Sequence, residues 1–340
     1  MVSPFKASRR AGPGTCLRPM PMPMMRAAII VRPREIRIDD FALPDPGAGQ
    51  VRIRLEGCGV CHSNLPTWQG REWFRYPLAP GAPGHEGWGR VEAIGRGVAA
   101  VREGDRVAFL SGNAYSDHAV VSEAELLALP AALDAQPFPG EPLGCALNIF
   151  RRAEVREGHT VAIVGIGFLG ALLVQLCVNA GARVLAVAHR PFSQDLARRF
   201  SADAVVPMDD HGKVIERVRE LTSGRFCDRA IECVGAQWPL DLAGELTGER
   251  GRLVIAGYHQ DGPRRVDLQL WNWRGLDVIN AHERDPAVYL DGMRLAAGKV
   301  ASGELDTRPL YTEFPLEELS SAFEALERRP DGFVKALVRM

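Results

Sequence analysis

The sequence lacks several features that mark whole classes of protein. No apolar run reaches the roughly 18 residues that a membrane-spanning helix needs. The 340 residues carry a formal net charge of −1 with no block of like charge, which argues against a nucleic-acid surface and a polybasic membrane patch. No internal repeat stands out. The composition is that of a globular protein, and its length favours two domains.

Cysteine is scarce, and its placement excludes a regular disulfide framework. The seven cysteines are odd in number, scattered, and mostly set among apolar residues. This distribution is typical of reduced thiols in a cytosolic enzyme, in which clustered cysteines serve metal binding or catalysis. We therefore expect a cytoplasmic enzyme.

The first part of the chain lacks any hydrophobic periodicity. Residues 1–25 are rich in Pro, Met and Arg, and Arg9 and Arg10 are not followed by an apolar stretch. The segment therefore does not resemble a secretory signal. We predict a disordered N-terminal extension over residues 1–25, with the folded chain beginning near Met25.

Two different patterns follow along the chain, and they predict two kinds of domain. Short alternating strands divided by Gly and Pro come first and are typical of a small, partly open β-barrel. Apolar strands that alternate with amphipathic helices follow, and this order builds a doubly wound parallel sheet. We predict an α/β protein with a barrel domain of residues 26–150 and 287–340 and a doubly wound domain of residues 151–286.

A glycine turn lies between the first apolar strand of the second domain and the helix after it. Gly165, Gly167 and Gly170 form the pattern G-x-G-x-x-G. The first glycine permits the tight turn, the second lets a pyrophosphate approach the backbone, and the third lets helix and strand pack closely. The helix N-terminus offers free N–H groups to the phosphates. The turn, with Phe168 and Leu169 inside it, predicts a dinucleotide site.

No carboxylate stands where NAD enzymes usually hold one. An Asp or Glu at the end of the second strand binds the ribose hydroxyl in such domains, whereas this strand ends in "AVAHRPFS", with His189 in that place and Arg190 next. A guanidinium beside a missing carboxylate suits the 2′-phosphate of NADP(H). The alternative is that Arg190 stacks on adenine or points into solvent. We predict a preference for NADP(H) over NAD(H).

Candidate metal ligands occur in three separate segments. Cys61 ends a strand, and His85 and Glu86 lie side by side in a glycine-flanked turn. Glu141 heads the helix that leads into the second domain. A thiolate, an imidazole and carboxylates from separate segments suit an open zinc site. Cys58 forms C-x-x-C with Cys61, but there is no second pair for a structural zinc, and we interpret Cys58 as a buried apolar residue.

The order of these motifs is similar to that of one enzyme family. "GHEGWGRVEAIGRGV" has the form G-H-E-x-x-G-x5-G-x-x-V, and "GCGVCHSN", "GDRV" and the later glycine turn stand in the same order. Together they resemble the zinc-dependent alcohol dehydrogenases of the medium-chain dehydrogenase/reductase family. The resemblance extends over nearly the whole chain from Met25 onward. It implies a GroES-like catalytic barrel domain, a Rossmann nucleotide domain, and assembly as a homodimer or homotetramer.

The resemblance also implies a ligand set for one catalytic zinc. Cys61 and His85 match two ligand positions of the family. The third falls on Glu141, within an E-P-L that resembles sorbitol and other polyol dehydrogenases. Glu86 is an alternative ligand that can exchange with Glu141, and Cys145, on the same helix face as Glu141, is the rival third ligand. The predicted catalytic group is Cys61, Ser63, His85, Glu86 and Glu141.

Two features of the family are missing from the sequence. The lobe of four closely spaced cysteines that holds a second, structural zinc in many members has no counterpart, so we expect one zinc per chain. The relay histidine of the liver-type enzymes falls on Pro66. The alcohol proton then has two routes, through Ser63 and the cofactor ribose or through water held by a carboxylate. Asn64 replaces the Asp usual after C-H-S, so the partner of the ligand histidine carries less charge.

The predicted activity is hydride transfer between NAD(P) and a secondary alcohol or ketone. A zinc-bound alcohol is a much stronger acid than a free one, and the nicotinamide carries the hydride. We expect a polyol, cyclitol or sugar-derived substrate. The alternatives are a zinc-free enone or quinone reductase on the same scaffold and a non-catalytic NAD(P)-binding sensor. The predicted substrate pocket is Trp68, Trp73, Cys145 and Asn148, with ordinary loop packing as the alternative for the tryptophans.

Overall fold

The computed structural model describes residues 23–340, which form fifteen strands and nine α-helices. The strands are β1 Met24–Arg32, β2 Glu35–Ala42, β3 Gln50–Gly59, β4 Glu86–Ile94, β5 Arg106–Phe109, β6 His118–Ser122, β7 Leu126–Ala128, β8 Thr160–Val164, β9 Arg183–Ala188, β10 Ala204–Pro207, β11 Cys227–Glu232, β12 Thr247–Ile255, β13 Asp277–Asn280, β14 Tyr311–Pro315 and β15 Lys335–Arg339. The helices are α1 Leu65–Gln69, α2 Gly140–Ala153, α3 Phe168–Asn179, α4 Pro191–Arg199, α5 His211–Leu221, α6 Gln237–Leu246, α7 Leu268–Arg274, α8 Pro286–Ser302 and α9 Leu319–Arg328.

The predicted N-terminal extension falls mostly outside the described residues. Residues 1–22 are not described, and Met24 and Met25 already belong to strand β1. Within residues 23–340, no helix combines the length and the apolar character needed to cross a membrane.

The first sheet is a strongly curved, largely antiparallel barrel. Its strand order is β14-β15-β3-β4-β5-β7, with β6 also paired to β3. Strand β3 buries Val51, Ile53 and Leu55 at alternate positions, because side chains two residues apart point to the same face of a strand. The C-terminal strand β15 pairs antiparallel with the end of β3. The last residues of the chain therefore return to the place where β3 ends.

The second sheet is fully parallel and has the order β10-β9-β8-β11-β12-β13. This confirms the predicted doubly wound domain. Strand β8 is almost wholly buried, which explains its continuous apolar sequence. The order reverses between β8 and β11, and a crevice opens beyond the carboxyl ends of the strands at such a switch point.

Helices α2 and α8 pack closely side by side where the two domains meet. The crossing depends on small residues, since a Cβ added at Gly292 would lie 2.7 Å from the Gly144 carbonyl oxygen and 2.8 Å from Asn148 Oδ1. This contact fixes the position of α2, which carries Glu141 and Cys145 towards the crevice.

We expect Gly292→Ala to destabilise the protein although alanine favours helix formation. The added methyl group would crowd α2, and overpacking of this kind costs about 1–3 kcal/mol. Gly298 lies in the same helix, and a Cβ there would meet nothing within 4 Å. Gly298→Ala is therefore the matched control and should stabilise by about 0.5–1 kcal/mol. Urea unfolding measures both, and a rise in the midpoint for both variants would contradict the close crossing.

Candidate active site

A deep cleft of about 1310 Å³ lies between the barrel and the parallel sheet. Barrel residues Cys61 and His85 line one part of it, and Gly165, Gly167 and His189 of the parallel sheet domain line another. A ligand held by the barrel residues and a ligand held by the parallel sheet domain would therefore share one space. This space is large enough for a dinucleotide and a small substrate.

Cys61, His85 and Glu86 form a tight group of potential metal ligands. One ligand atom from each of the three lies within 4.8 Å of the others, and no second such group occurs among residues 23–340. The antiparallel pairing of β3 with β4 places Gly59 opposite Glu86. A Cβ at Gly59 would lie 1.8 Å from Glu86 Oε2, so only glycine leaves room for this carboxylate. Strand register thus brings the segments together.

Hydrogen bonds orient the two ligands that are not carboxylates. His85 Nδ1–H donates to the Pro83 carbonyl oxygen at 3.0 Å, which leaves Nε2 to face a metal. Ser63 Oγ donates to Cys61 Sγ at 3.1 Å. Asn64 Nδ2 donates to the same Pro83 carbonyl at 3.4 Å and so supports the partner of His85. The backbone therefore orients the imidazole, a role that sequence reasoning had sought in the side chain at position 64.

The electrostatics of the group favour a cation. Burial alone lowers the pKa of His85, but the hydrogen bond and charge of Cys61 and the charges of Glu86 and Glu141 raise it to about 10. The anionic groups around this buried imidazole therefore stabilise a positive charge at this point. One sulfur, one nitrogen and one or more carboxylate oxygens form the donor set that Zn²⁺ accepts. The residues present therefore fit a zinc ion.

Glu141 lines the same cleft beside the tight group. Its Oε1 accepts a bond from Cys145 Sγ at 3.2 Å. Burial raises the pKa of Glu141, while the charge of His85 lowers it and that of Glu86 raises it, so the three groups interact closely. The structure thus divides the four predicted ligands into three that lie in one tight group and Glu141 next to them.

Glu86 has a partner that the sequence does not reveal. Lys335 Nζ lies 2.9 Å from its Oε1 and 2.7 Å from its Oε2, and Glu86 is 0% exposed. Lys335 also lies over the Phe168 ring, 4.9 Å from its centroid. Residues 86 and 335 are 249 positions apart and meet only because β15 pairs with β3. No local pattern marks such a pair.

The glycine turn has the geometry expected of a phosphate site. Gly165 has φ of +96° and needs the freedom of glycine, and a Cβ at Gly170 would lie 2.0 Å from the Gly165 carbonyl oxygen. A Cβ at Gly167 would meet nothing within 4 Å, so this glycine faces open space. Helix α3 begins at Phe168 without a side-chain cap, and Phe168 and Leu169 line the cleft. Its first N–H groups are free for a ligand.

The residues after β9 also line the cleft. His189 Nδ1–H donates to the Met208 carbonyl oxygen at 3.0 Å. Arg190 Nη1 donates to the carbonyl oxygens of Arg329 at 3.3 Å and Phe333 at 3.1 Å. Both acceptors follow helix α9 in the C-terminal part of the chain. Arg190 thus connects the two parts of the structure through hydrogen bonds to backbone carbonyls.

Three residues of the predicted substrate pocket line the cleft, and the fourth lies in the barrel core. Trp73, Cys145 and Asn148 line the cleft. Trp68 is 1% exposed and stacks on Phe323 with ring centroids 5.1 Å apart, so it belongs to the barrel core. The sequence could not separate these two tryptophans, because both follow the first ligand within a few residues. It also missed Tyr289, which lines the cleft and donates to the Glu283 carbonyl oxygen at 2.9 Å.

Two family models match the chain. The model described as "Alcohol dehydrogenase GroES-like domain" matches residues 47–131, and the model described as "Zinc-binding dehydrogenase" matches residues 169–295. Together they cover more than half of the chain, and they fall on the barrel and on the parallel sheet in the predicted order.

Similar proteins extend over nearly the whole chain. The 2-dehydro-3-deoxy-L-galactonate 5-dehydrogenase of Pseudoalteromonas atlantica is 27% identical over 86% of this chain and 92% of its own length. Sorbitol dehydrogenase of Homo sapiens is 24% identical over 88% of this chain and 92% of its own. The solved structure of 2R,3R-butanediol dehydrogenase from Bacillus subtilis is 26% identical, with a TM-score of 0.81 over 93% of this chain and 99% of that one. The chain belongs to the zinc-dependent, NAD(P)-linked alcohol dehydrogenases of the medium-chain dehydrogenase/reductase family.

Proposed function

We propose that the enzyme interconverts a secondary alcohol and its ketone on a neutral polyol, cyclitol or sugar-derived substrate, with NADP(H) as the hydride carrier. One observation carries the proposal: the group Cys61, His85 and Glu86 shares a single cleft with the glycine turn at Gly167. A zinc ion held by Cys61, His85 and a carboxylate would supply Lewis acidity to a substrate oxygen, and a dinucleotide held at the glycine turn would supply the hydride chemistry.

We assign the third ligand position to Glu141 rather than to Glu86. Both oxygens of Glu86 lie within 3 Å of the Lys335 ammonium, which neutralises this carboxylate. Glu141 accepts a bond from the weak thiol donor of Cys145 and gives it up at less cost. Glu86, paired with Lys335, would then serve as a buried counter-charge beside the metal and as the alternative ligand.

Ser63 is the group placed to pass on the alcohol proton. Its hydroxyl donates to Cys61 Sγ and lines the cleft, so it would stand near a substrate oxygen bound to a metal at Cys61. Pro66, in the position of the relay histidine, carries no ionisable group. His62 also lines the cleft, but burial lowers its pKa to about 4, so it is a weak base and a poor acceptor for the alcohol proton.

The charge of the cleft favours a neutral substrate. Among the described residues, Lys335 is the one cleft-lining Lys or Arg that forms an ion pair with a candidate metal ligand, and Glu86 already neutralises it. A phosphate or carboxylate on the substrate would be buried without a partner there, which is costly. Tyr289 and Asn148 offer neutral hydrogen-bonding groups instead, and these suit hydroxyls. The names of the relatives point to sugar acids and polyols, and the charge favours the polyols.

We further propose a homo-oligomeric enzyme in the cytoplasm. Strand β13 is the outer strand of the parallel sheet, and α7 beside it exposes Leu268 and Trp273, the latter by 86%. An open sheet edge beside exposed apolar side chains suits contact with a second copy. The six cysteines of the described residues are free thiols, as expected in a reducing compartment.

Activity on a substrate panel tests the function directly. We expect nicotinamide absorbance changes with neutral polyols or cyclitols, more than about tenfold lower kcat/KM for phosphorylated or carboxylated analogues, and loss of turnover after zinc is stripped and its return when zinc is supplied. Reduction of C=C bonds that survives Cys61→Ser would favour an enone reductase. Cofactor binding without turnover over the whole panel would favour a sensor.

Zinc content distinguishes the candidate ligands. Cys61→Ser and Glu141→Gln should both lower the metal below one zinc per chain after dialysis and reduce kcat by roughly 100-fold or more, because each removes a ligand. Cys145→Ser is the matched control and should retain zinc. If Cys145→Ser loses the metal and Glu141→Gln keeps it, the assignment of the third ligand is wrong. Metal analysis of dialysed protein is the measurement.

Lys335→Met tests whether the lysine holds Glu86. The substitution leaves a fully buried carboxylate without its counter-charge, which should lower the free energy of unfolding by about 3–5 kcal/mol. Removing the charge as well, in Glu86→Gln/Lys335→Met, should recover at least half of that loss. Urea unfolding of the zinc-loaded enzyme measures both. A negligible effect of Lys335→Met would mean that the metal, not the lysine, neutralises Glu86.

A further inference from the structure

A fully buried carboxylate lies behind the wall of the cleft and takes no part in the proposed chemistry. Glu232 ends strand β11. Its Oε1 accepts hydrogen bonds from the backbone N–H groups of Val234 at 2.7 Å and Gly235 at 2.8 Å. Its Oε2 accepts one from His259 Nε2 at 3.0 Å. Because a buried carboxylate is stable only with such partners, Glu232 ties two separate segments of the chain together.

The loop after β12, residues 256–264 and here called the wall loop, borders the cleft in front of this carboxylate. The backbone N–H groups of Ala256 and Gly257 donate to the Glu232 carbonyl oxygen at 2.9 Å and 2.8 Å. A Cβ at Gly257 would lie 2.6 Å from Glu232 Oε2 and 2.2 Å from the Gly235 nitrogen, so only glycine allows this close approach. The position of the cleft wall therefore depends on Glu232.

Arg264 holds the same histidine from the other side. Its Nε–H donates to His259 Nδ1 at 3.1 Å, and its Nη2 donates to the Gly235 carbonyl oxygen at 3.2 Å. Its Nη1 donates to the carbonyl oxygens of Asp261 and Gly262, both at 3.3 Å. The guanidinium therefore closes the wall loop on itself and joins it to the segment that follows β11.

These two contacts fix the position of the proton on the His259 ring. A carboxylate only accepts hydrogen bonds, so Nε2 carries the hydrogen that points to Glu232. A guanidinium only donates, so Nδ1 carries no hydrogen and accepts from Arg264. A neutral imidazole with one donor and one acceptor thus bridges a group that has only acceptors and a group that has only donors. No other arrangement of one ring proton keeps both bonds.

Another contact of the wall loop is too weak to determine its position. Asp261 pairs with Arg71 of the barrel at 3.2 Å, but both side chains are about half exposed. Exposed ion pairs of this kind contribute little, because water and salt screen them. The side chains of His259 and Glu232 are largely buried by comparison. We therefore attribute the position of the loop to the buried contacts.

We propose that Glu232, His259 and Arg264 form a positioning network that holds the wall loop ready for the dinucleotide. Each half of a doubly wound sheet binds one mononucleotide. The wall loop follows β12, across the switch point from the glycine turn after β8, so it borders the nicotinamide half of the cofactor. A loop that is ordered in advance loses less conformational freedom when the ligand binds. The three side chains act through the loop backbone and take no part in the chemical step.

Binding of a whole and a half cofactor tests the network without turnover. Full-length, zinc-loaded enzyme is titrated with NADH and NADPH, followed by nicotinamide fluorescence, and with 5′-AMP, followed by calorimetry. For whichever dinucleotide binds the wild type more tightly, His259→Leu and Arg264→Met should each lower the affinity by about 10-fold or more, because each breaks the bridge. Affinity for 5′-AMP should stay within about twofold. In turnover, KM for the cofactor should rise while kcat stays within about threefold.

A conservative variant distinguishes the bridge from simple packing. In His259→Gln the side-chain amide offers one donor and one acceptor, so it can bond to both Glu232 and Arg264. This variant should recover most of the affinity that His259→Leu loses.

The opposite result is expected for Glu232→Gln, which has almost the same shape. Its amide oxygen stays with the two backbone N–H groups, and its NH₂ group then faces His259 Nε2. The ring can bond either to this NH₂ group or to Arg264 but not to both, since both are donors. We expect Glu232→Gln to lose about as much dinucleotide affinity as Arg264→Met.

Three controls separate the network from charge and from folding. Arg265 follows Arg264 directly and is exposed, so Arg265→Met removes the same charge and should bind both ligands within about twofold of the wild type. Arg71→Gln removes only the exposed pair with Asp261 and should behave in the same way. Arg264→Met leaves Glu232 with all its partners, so its loss of affinity does not come from an unpaired buried carboxylate.

Three results would contradict the network. Wild-type dinucleotide affinity in both His259→Leu and Arg264→Met would show that the wall loop needs no such support. Equal losses in His259→Leu and His259→Gln would show that the ring contacts the cofactor itself instead of bridging. A parallel loss of dinucleotide affinity, 5′-AMP affinity and the urea midpoint would leave the three residues with a structural role only. Normal variant effects on binding, with no turnover of any alcohol, would uphold the network and contradict the proposed function instead.

Discussion

The antiparallel pairing of β3 with β4 is the constraint on which the rest of the active site depends. It sets Gly59 opposite Glu86, so that the end of one strand and the start of the next meet at the cleft. Cys61 follows the first strand and His85 precedes the second, which brings a thiolate and an imidazole within reach of one ion. A shift of one residue would turn these side chains to the opposite face.

Charge then determines how the site is completed. Several anionic groups converge on a buried place, and such a place is stable only if positive charge balances them. A bound metal would supply part of this charge, and Lys335, from the last strand, supplies another part directly at Glu86. Beyond β9 the cleft is lined by Arg190 and Arg329, and there burial lowers the pKa of Arg190 while the charge of Asp331 raises it.

Features that depend on consecutive residues could be predicted from the sequence. The glycine turn, the alternation of strand and helix, and the strand with alternately buried residues all express local backbone geometry. The order of the ligand segments indicated the family and its α/β architecture. Trp68 shows the limit of this reasoning: a short helix places one aromatic ring against the core, while Trp73 a few residues later reaches the cleft, and composition is the same for both.

By itself the sequence determined which chemical groups the site contains: a thiolate, an imidazole, carboxylates and a glycine turn. Each of them can be recognised from a short run of consecutive residues. Only the tertiary structure decided their partners. Lys335 meets Glu86 across 249 positions and Arg190 meets the Arg329 carbonyl across 139, through strand pairing and domain contact. Such pairs cannot be recognised from local periodicity, because the path of the whole chain determines which distant residues meet.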